Sequence, residues 1–156
     1  MTGKTDKILL PAYPTCFVCG RKNSQGLQCD FYETDQGVEA LFTTKQFMAG
    51  YGNMVHGGVI SAVLDDAIVW AVYAAHRRMG VTGELNVRFA KPVVVGGTYT
   101  VRGRCTDKLR RLVQTEAELM DDQGNIMASC TGRVLPFTPE QIKNLHRELE
   151  EKIKQS

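Results

Sequence analysis

The sequence predicts an α+β fold: an antiparallel sheet of about six strands curled around one long central helix, with an amphipathic helix at the C-terminus. Three observations carry this. The stretch from Asn53 to Ala75 reads as one helix: a small polar cluster, Asn53 to Gly58, opens an apolar run interrupted only by Ser61, Asp65 and Asp66. On either side of it the hydrophobic period falls to two, with turn residues between the segments. From Gln141 onward the chain is charged, with Ile142, Leu145, Leu149 and Ile153 on one helical stripe. The domain organisation that follows is a lead-in over 1–14, one globular domain over 15–136 and a terminal helix over 137–156.

Each element has a local cause. Leu27, Cys29 and Phe31 alternate with Gln28 and Asp30 as a strand, Thr34-Asp35-Gln36-Gly37 turns the chain, and Val38 to Thr43 returns. The central helix follows a loop through Gly50 and Gly52. Its end is marked by His76, Arg77 and Arg78, cations suited to a helix C-terminus, and by Gly80 as a stop. Leu85, Val87 and Phe89 then alternate with Asn86 and Arg88 up to Pro92. Three further strands run over Thr98 to Cys105, Leu112 to Met120 and Ile126 to Leu135, separated by polar turns. Thr138-Pro139-Glu140-Gln141 opens the last helix with Thr as N-cap, Pro at the first position and Gln at the third. A helix apolar on nearly every face needs more cover than one sheet supplies, so a partner subunit is expected.

Composition excludes several classes. A net charge of +2, without a Lys/Arg block, gives no reason to expect nucleic acid. MTGKTDKILL is too short an apolar segment for a secretory signal. The central helix carries two aspartates in mid-run, and its uncharged part falls short of the ~18–20 residues a membrane span needs. Five cysteines, an odd number at irregular spacing, point to reduced thiols and a cytoplasmic setting. Cys16-x-x-Cys19 lacks the second ligand pair of a zinc knuckle. Cys29 is near, but no second CxxC or HxxxH follows, so no metal and no cofactor is expected.

The chemistry concentrates in the helix. A buried carboxylate is paired, hydrogen-bonded, protonated or functional, and Asp65 and Asp66 are open to each of these. His56-Gly57-Gly58 leaves backbone N–H groups uncovered at the positive end of a helix, where an anion or developing oxyanion is stabilised. Donors at the helix start and an acid further along are the two halves of an acyl-transfer site. One position of offset turns Asp66 ~100° away from Asp65, which favours a structural or interface role for it. Ser61 has no histidine at triad-like spacing.

These residues resemble a known family. Asn53-Met54-Val55-His56-Gly57-Gly58, with Asp65 nine residues after His56, is similar to the motif of hotdog-fold acyl-CoA thioesterases of the phenylacetate-pathway (PaaI-like) type. Leu85-Asn86-Val87-Arg88-Phe89-Ala90-Lys91-Pro92 is similar to that family's first strand after the helix. Cys16-Phe17-Val18-Cys19-Gly20, with Asn23 and Gly26-Leu27, resembles the N-terminal motif of one subset. The likeness covers about residues 15–135.

The resemblance implies hydrolysis of an acyl thioester of coenzyme A. Asp65 matches the catalytic carboxylate, as general base or nucleophile. The Gly57 N–H matches the oxyanion donor, His56 the histidine that positions the thioester, and Thr82 a hydroxyl near the attacking water. Substrate contacts are expected at Asn53, Gly58 and Asn86, and phosphate contacts at Arg88, Lys91, Arg110 and Arg111. Many relatives carry Asn or Gln where this chain has Gly50, and Asn53 is the candidate to supply that amide from another position. The implied partners are an acyl-CoA and further copies of the chain, as a dimer or a dimer of dimers. A non-catalytic acyl-CoA or fatty-acyl binding module is the alternative. A hotdog dehydratase is a weaker rival, because the chain lacks a histidine-rich loop.

Overall fold

The computed structural model describes residues 7–155, without the side chains of residues 152, 153 and 155. The first six residues of the lead-in, the Ile153 side chain and Ser156 therefore lie outside the described residues. In chain order the elements are β1 (Ile8–Leu9), β2 (Phe31–Thr34), β3 (Gly37–Thr43), a 3-10 turn (Gln46–Met48), α1 (Gly57–His76), β4 (Gly80–Phe89), β5 (Thr98–Cys105), β6 (Val113–Met120), β7 (Ile126–Pro136) and α2 (Pro139–Gln155). The strands form one antiparallel sheet in the order β1-β2-β3-β5-β6-β7-β4. The sheet thus has seven strands rather than about six. The added one, Ile8–Leu9, is two residues long and pairs with Tyr32 and Glu33. A segment that short has no period to read.

The sheet wraps α1 because both surfaces are apolar and must exclude water together. Val38, Ala40 and Phe42 of β3, Tyr99 and Val101 of β5, Ala117 and Leu119 of β6, and Ala128 and Val134 of β7 are buried. They meet Val63, Leu64, Ala67, Ile68, Ala71 and Val72 of the helix in one core. Burying a side chain such as Leu64 or Ile68 stabilises the fold by about 1.5–3 kcal/mol. Close approach of the layers depends on Gly103, where a Cβ would stand 2.5 Å from the Ala67 carbonyl oxygen. The length and apolarity of α1 would suit a membrane span, yet six strands pack against it here.

The helix ends differ from the sequence reading. Residues 53–56 are not helical, because the chain there is tied across to Val93–Val95: the Val55 N–H donates to Val93 at 2.8 Å, and the Val95 N–H donates to Asn53 at 2.7 Å. At the other end Arg77, not Gly80, takes the left-handed conformation, with φ of 53°, and its N–H bonds to Tyr73 at 2.7 Å. Gly80 then serves as the first residue of β4. The expected strand from Leu27 starts instead at Phe31, since the Leu27 and Cys29 N–H groups go to the Phe17 and Val18 carbonyls. That pairing folds residues 10–29 beneath α1, where Leu10, Val18, Cys19, Leu27 and Cys29 join the core. At α2 the expected capping box is present, with the Thr138 N–H donating to Gln141 at 2.8 Å and the Gln141 N–H to Thr138 at 3.2 Å.

Candidate active site

The N-terminus of α1 is set by the loop before it. The His56 N–H donates to the Met48 carbonyl at 2.8 Å, and the Gly50 N–H to the Met54 carbonyl at 2.8 Å. This holds His56 extended, with φ of −61° and ψ of 134°, as the helix N-cap. Its ring folds back so that Nδ1 accepts the Gly58 N–H at 2.8 Å. An Nδ1 that accepts carries no proton, so the neutral ring holds its hydrogen on Nε2. The Val59 and Ile60 N–H groups both donate to the His56 carbonyl, at 3.0 and 3.3 Å. Of the four N–H groups that a helix start leaves without an intrahelical partner, that of Gly57 alone has no acceptor among the described residues.

The two glycines have separate steric reasons. A Cβ at Gly58 would stand 3.0 Å from His56 Nδ1, so the imidazole could not fold back as closely. A Cβ at Gly57 would stand 3.3 Å from the Phe89 ring. Gly50 lies against the same histidine: a Cβ there would be 3.3 Å from His56 Cα and 3.6 Å from its ring. The Ser61 hydroxyl donates back to the Gly57 carbonyl at 2.9 Å, which occupies it as a helix back-bond.

A mostly apolar cavity of about 410 Å³ opens over this helix end, lined by Gly50, Tyr51, Met54, Val55, His56, Gly57, Ile60, Phe89 and Val93, with Lys91 also on its wall. Tyr51 and Phe89 are exposed there, at 84% and 53%. The structure thus brings His56, Gly57 and Lys91 together, with Gly58 behind the imidazole. Asp65 does not line this cavity. It is half-buried on α1, without a hydrogen-bond partner among the described residues, and its charge helps burial to raise the Cys130 thiol to about 11. Thr82 sits on β4 beside a register shift at Thr82/Glu84, and its buried hydroxyl has no partner among the described residues.

The remaining expected contacts lie elsewhere in one chain. Asn53 is exposed in the loop before α1. Asn86 and Arg88 point to the opposite face of β4, where they line a separate cavity of about 290 Å³. Arg110 and Arg111 are exposed in the β5–β6 turn, and Arg110 pairs with Asp107 at 2.7 Å. The Asp107 carbonyl is 3.1 Å from His76 Nε2, so that turn abuts the far end of α1. A larger cavity, about 540 Å³, lies among the ion pairs Lys7–Glu39, Arg102–Glu39 and Arg104–Glu116, away from the helix start.

Sequence reasoning missed the surroundings of Asp66. Its carboxyl accepts from Trp70 Nε1 at 3.1 Å and shares a hydrogen bond with the Cys16 sulfur at 3.5 Å. Burial, with the Cys16 charge beside it, pushes the Asp66 carboxyl up to about 7. Hydrogen bonds from the Cys19 thiol and from the Val18 and Cys19 N–H groups bring Cys16 down to about 5. Trp70 at i+4 from Asp66 was a signal open to reading; Cys16, fifty residues away, was not.

An antiparallel sheet wrapped around one long helix defines a hotdog-fold protein, here with an open N–H at the helix start over an apolar cavity. Residues 52–128 match the family profile described as Thioesterase superfamily. An inferred esterase of Saccharolobus solfataricus is 30% identical over 105 residues, 66% of this chain and 69% of that protein. The chain belongs to the thioesterase superfamily. Among solved structures, the thioesterase superfamily protein RHA08564 superposes with a TM-score of 0.70 at 23% identity, over 78% of this chain and 60% of that one. This chain therefore spans less than two thirds of RHA08564. The Escherichia coli PaaI protein of the phenylacetic acid degradation operon gives 0.65 at 19% identity, over 72% and 81%. The smu.793 protein of Streptococcus mutans, solved bound to acetyl CoA, gives 0.64 at 18%, over 70% and 88%.

Proposed function

We propose that this protein hydrolyses acyl thioesters of coenzyme A to the free acid and coenzyme A, at sites shared between two copies of the chain. The observation that carries the proposal is the open Gly57 N–H on the wall of an apolar cavity from which Asp65 is absent. Gly57 and Asp65 are eight residues apart on α1, about 12 Å along its axis at ~1.5 Å per residue. A reacting carbonyl needs its donor and its attacking group each at about 3–3.5 Å. One helix cannot meet both needs, whereas two antiparallel helices set Gly57 of one copy opposite Asp65 of the other. β4 supports the pairing, being a ten-residue edge strand that pairs with no second strand among the described residues.

In this arrangement the carbonyl oxygen accepts the Gly57 N–H, and the His56 Nε2–H is a further donor near the thioester. Asp65 of the second copy either takes a proton from water, which attacks the carbonyl carbon, or attacks it directly to give a mixed anhydride that water then opens. The C–S bond breaks and coenzyme A leaves as its thiolate. By the family resemblance, the Thr82 hydroxyl would lie near that water. An N–H aimed at the developing oxyanion contributes on the order of 10²–10³ in rate. Lys91 meets the carrier's phosphates, and Arg110 and Arg111 reach them only from the second copy. The acetyl CoA held by smu.793 supports the choice of carrier.

The bare position at Gly50 favours one other reading, an acyl-CoA binding protein without turnover. Thiol release from a panel of acyl-CoAs differing in chain length and aromaticity separates the two. The proposal expects catalytic release from at least one member of the panel. Tight binding with no release from any would favour the binding module.

A further inference from the structure

The Cys-x-x-Cys motif near the N-terminus takes no part in the site above, yet the fold brings a third donor to it. We propose that Cys16, Cys19 and Asp66 form a binding site for a thiophilic divalent metal ion of the zinc class, tying the N-terminal segment to α1. The two sulfurs and a carboxylate oxygen all lie within 4.8 Å of one another. Cys16 Sγ and Asp66 Oδ1 are 3.5 Å apart. Zinc–sulfur bonds of about 2.3 Å and zinc–oxygen bonds of about 2.1 Å set tetrahedral ligands about 3.5–3.8 Å from each other. One edge of the tetrahedron is thus already formed, and the others close with small side-chain movements.

The surroundings are arranged as a metal site requires. The Val18 and Cys19 N–H groups are directed at Cys16 Sγ, at 3.3 and 3.5 Å, a setting that favours a thiolate. Gly20 permits the turn: its N–H bonds the Cys16 carbonyl at 3.0 Å, and a Cβ there would collide with that oxygen at 2.3 Å. Trp70 Nε1 holds Asp66 Oδ2 at 3.1 Å, which leaves Oδ1 facing the thiols. Fixing a ligand's orientation through an outer partner is how metal sites are tuned. Cys19 is buried while Cys16 and Asp66 are half-buried, so the donors are shielded and an approach path remains. A Cys16–Cys19 disulfide would use two of the three groups and leave a carboxylate against sulfur; a cation uses all three. Two thiolates select zinc over magnesium or calcium, and water completes a three-ligand zinc site. The motif alone supplied two donors, and the third stands fifty residues on, beside Asp65. The ion would anchor the helical turn that carries that acid.

The test titrates reduced, chelator-stripped full-length protein with Co²⁺. The expected result is one equivalent per chain, with thiolate-to-cobalt absorption and the visible bands of a four-coordinate ion. Cys16→Ser and Cys19→Ser should abolish those bands, Asp66→Asn should raise Kd at least about tenfold, and Cys105→Ser should bind as the parent does. A second measurement needs no variant: Zn²⁺ should protect two of the five thiols from alkylation, mapped to Cys16 and Cys19. Failure to bind stoichiometrically, protection of other thiols, or undiminished affinity in a folded Asp66→Asn protein would overturn the proposal.

Discussion

His56 Nδ1 accepts the Gly58 N–H at 2.8 Å, and this bond leaves Gly57 as the open donor at the start of α1. The side chain that caps the helix also lines the same cavity. Capping and catalysis are separable by substitution. His56→Asn keeps an acceptor for the Gly58 N–H, whereas His56→Ala removes it and should cost about 0.5–2 kcal/mol of stability. Thermal unfolding should rank the parent and His56→Asn together above His56→Ala, while thiol release falls in both variants.

Gly58→Ala also separates stability from activity. Alanine is the better helix former by up to about 1 kcal/mol. Its Cβ would stand 3.0 Å from Nδ1 and 3.2 Å from Cε1 of His56, so the ring must move. The gain in helix propensity and the disturbed His56 cap oppose each other, so thermal stability should change little, yet the variant should lose about tenfold or more in kcat, since a displacement near 1 Å can cost 10²-fold. Unchanged kcat would show that the position of the imidazole is immaterial.

The adjacent acids should behave differently. Asp65→Asn should leave a folded protein with activity lower by several orders of magnitude. Asp66→Asn loses a carboxylate that faces Cys16 and Trp70 rather than the cavity, and its effect on turnover should be much milder. Near-parental hydrolysis by folded Asp65→Asn would remove that residue from the chemistry.

Carrier recognition gives a further prediction. Lys91 lines the cavity that holds Gly57, whereas Arg88 lies on the other face of β4. Lys91→Glu should raise KM for an acyl-CoA and spare a short pantetheine thioester, which lacks the phosphates. Arg88→Glu should act less. Equal effects of Lys91→Glu on both substrates would speak against a phosphate contact.

Much of this was legible because single segments carried it. The apolar run with two aspartates marked α1, period-two alternation gave β5 over the residues observed, and Thr138 with Gln141 marked the last helix start. Readings failed where distant chain segments decide the local geometry. Residues 53–56 are held out of the helix by Val93–Val95, and Leu27 and Cys29 pair with residues 17 and 18 instead of extending a strand. His-Gly-Gly announced uncovered N–H groups, but which one stays free depends on a side-chain rotation that spacing does not encode. The partnership of Asp66 with Cys16 depends on how residues 10–29 fold beneath α1. The separation of Gly57 from Asp65 along the helix axis, by contrast, was readable from the sequence as soon as the helix was.

The shared site is tested most directly by mixing two inactive variants, Asp65→Asn and one in which a bulky residue at position 57 fills the space against Phe89. In a heterodimer the intact Gly57 of the first faces the intact Asp65 of the second, and the other site carries both lesions. With random exchange at equal amounts, half the dimers are mixed and each holds one working site, so activity should recover to about a quarter of the parent. Recovery to that level, rising with demonstrated subunit exchange, is the predicted result. No recovery when exchange is complete would contradict a site built from two chains.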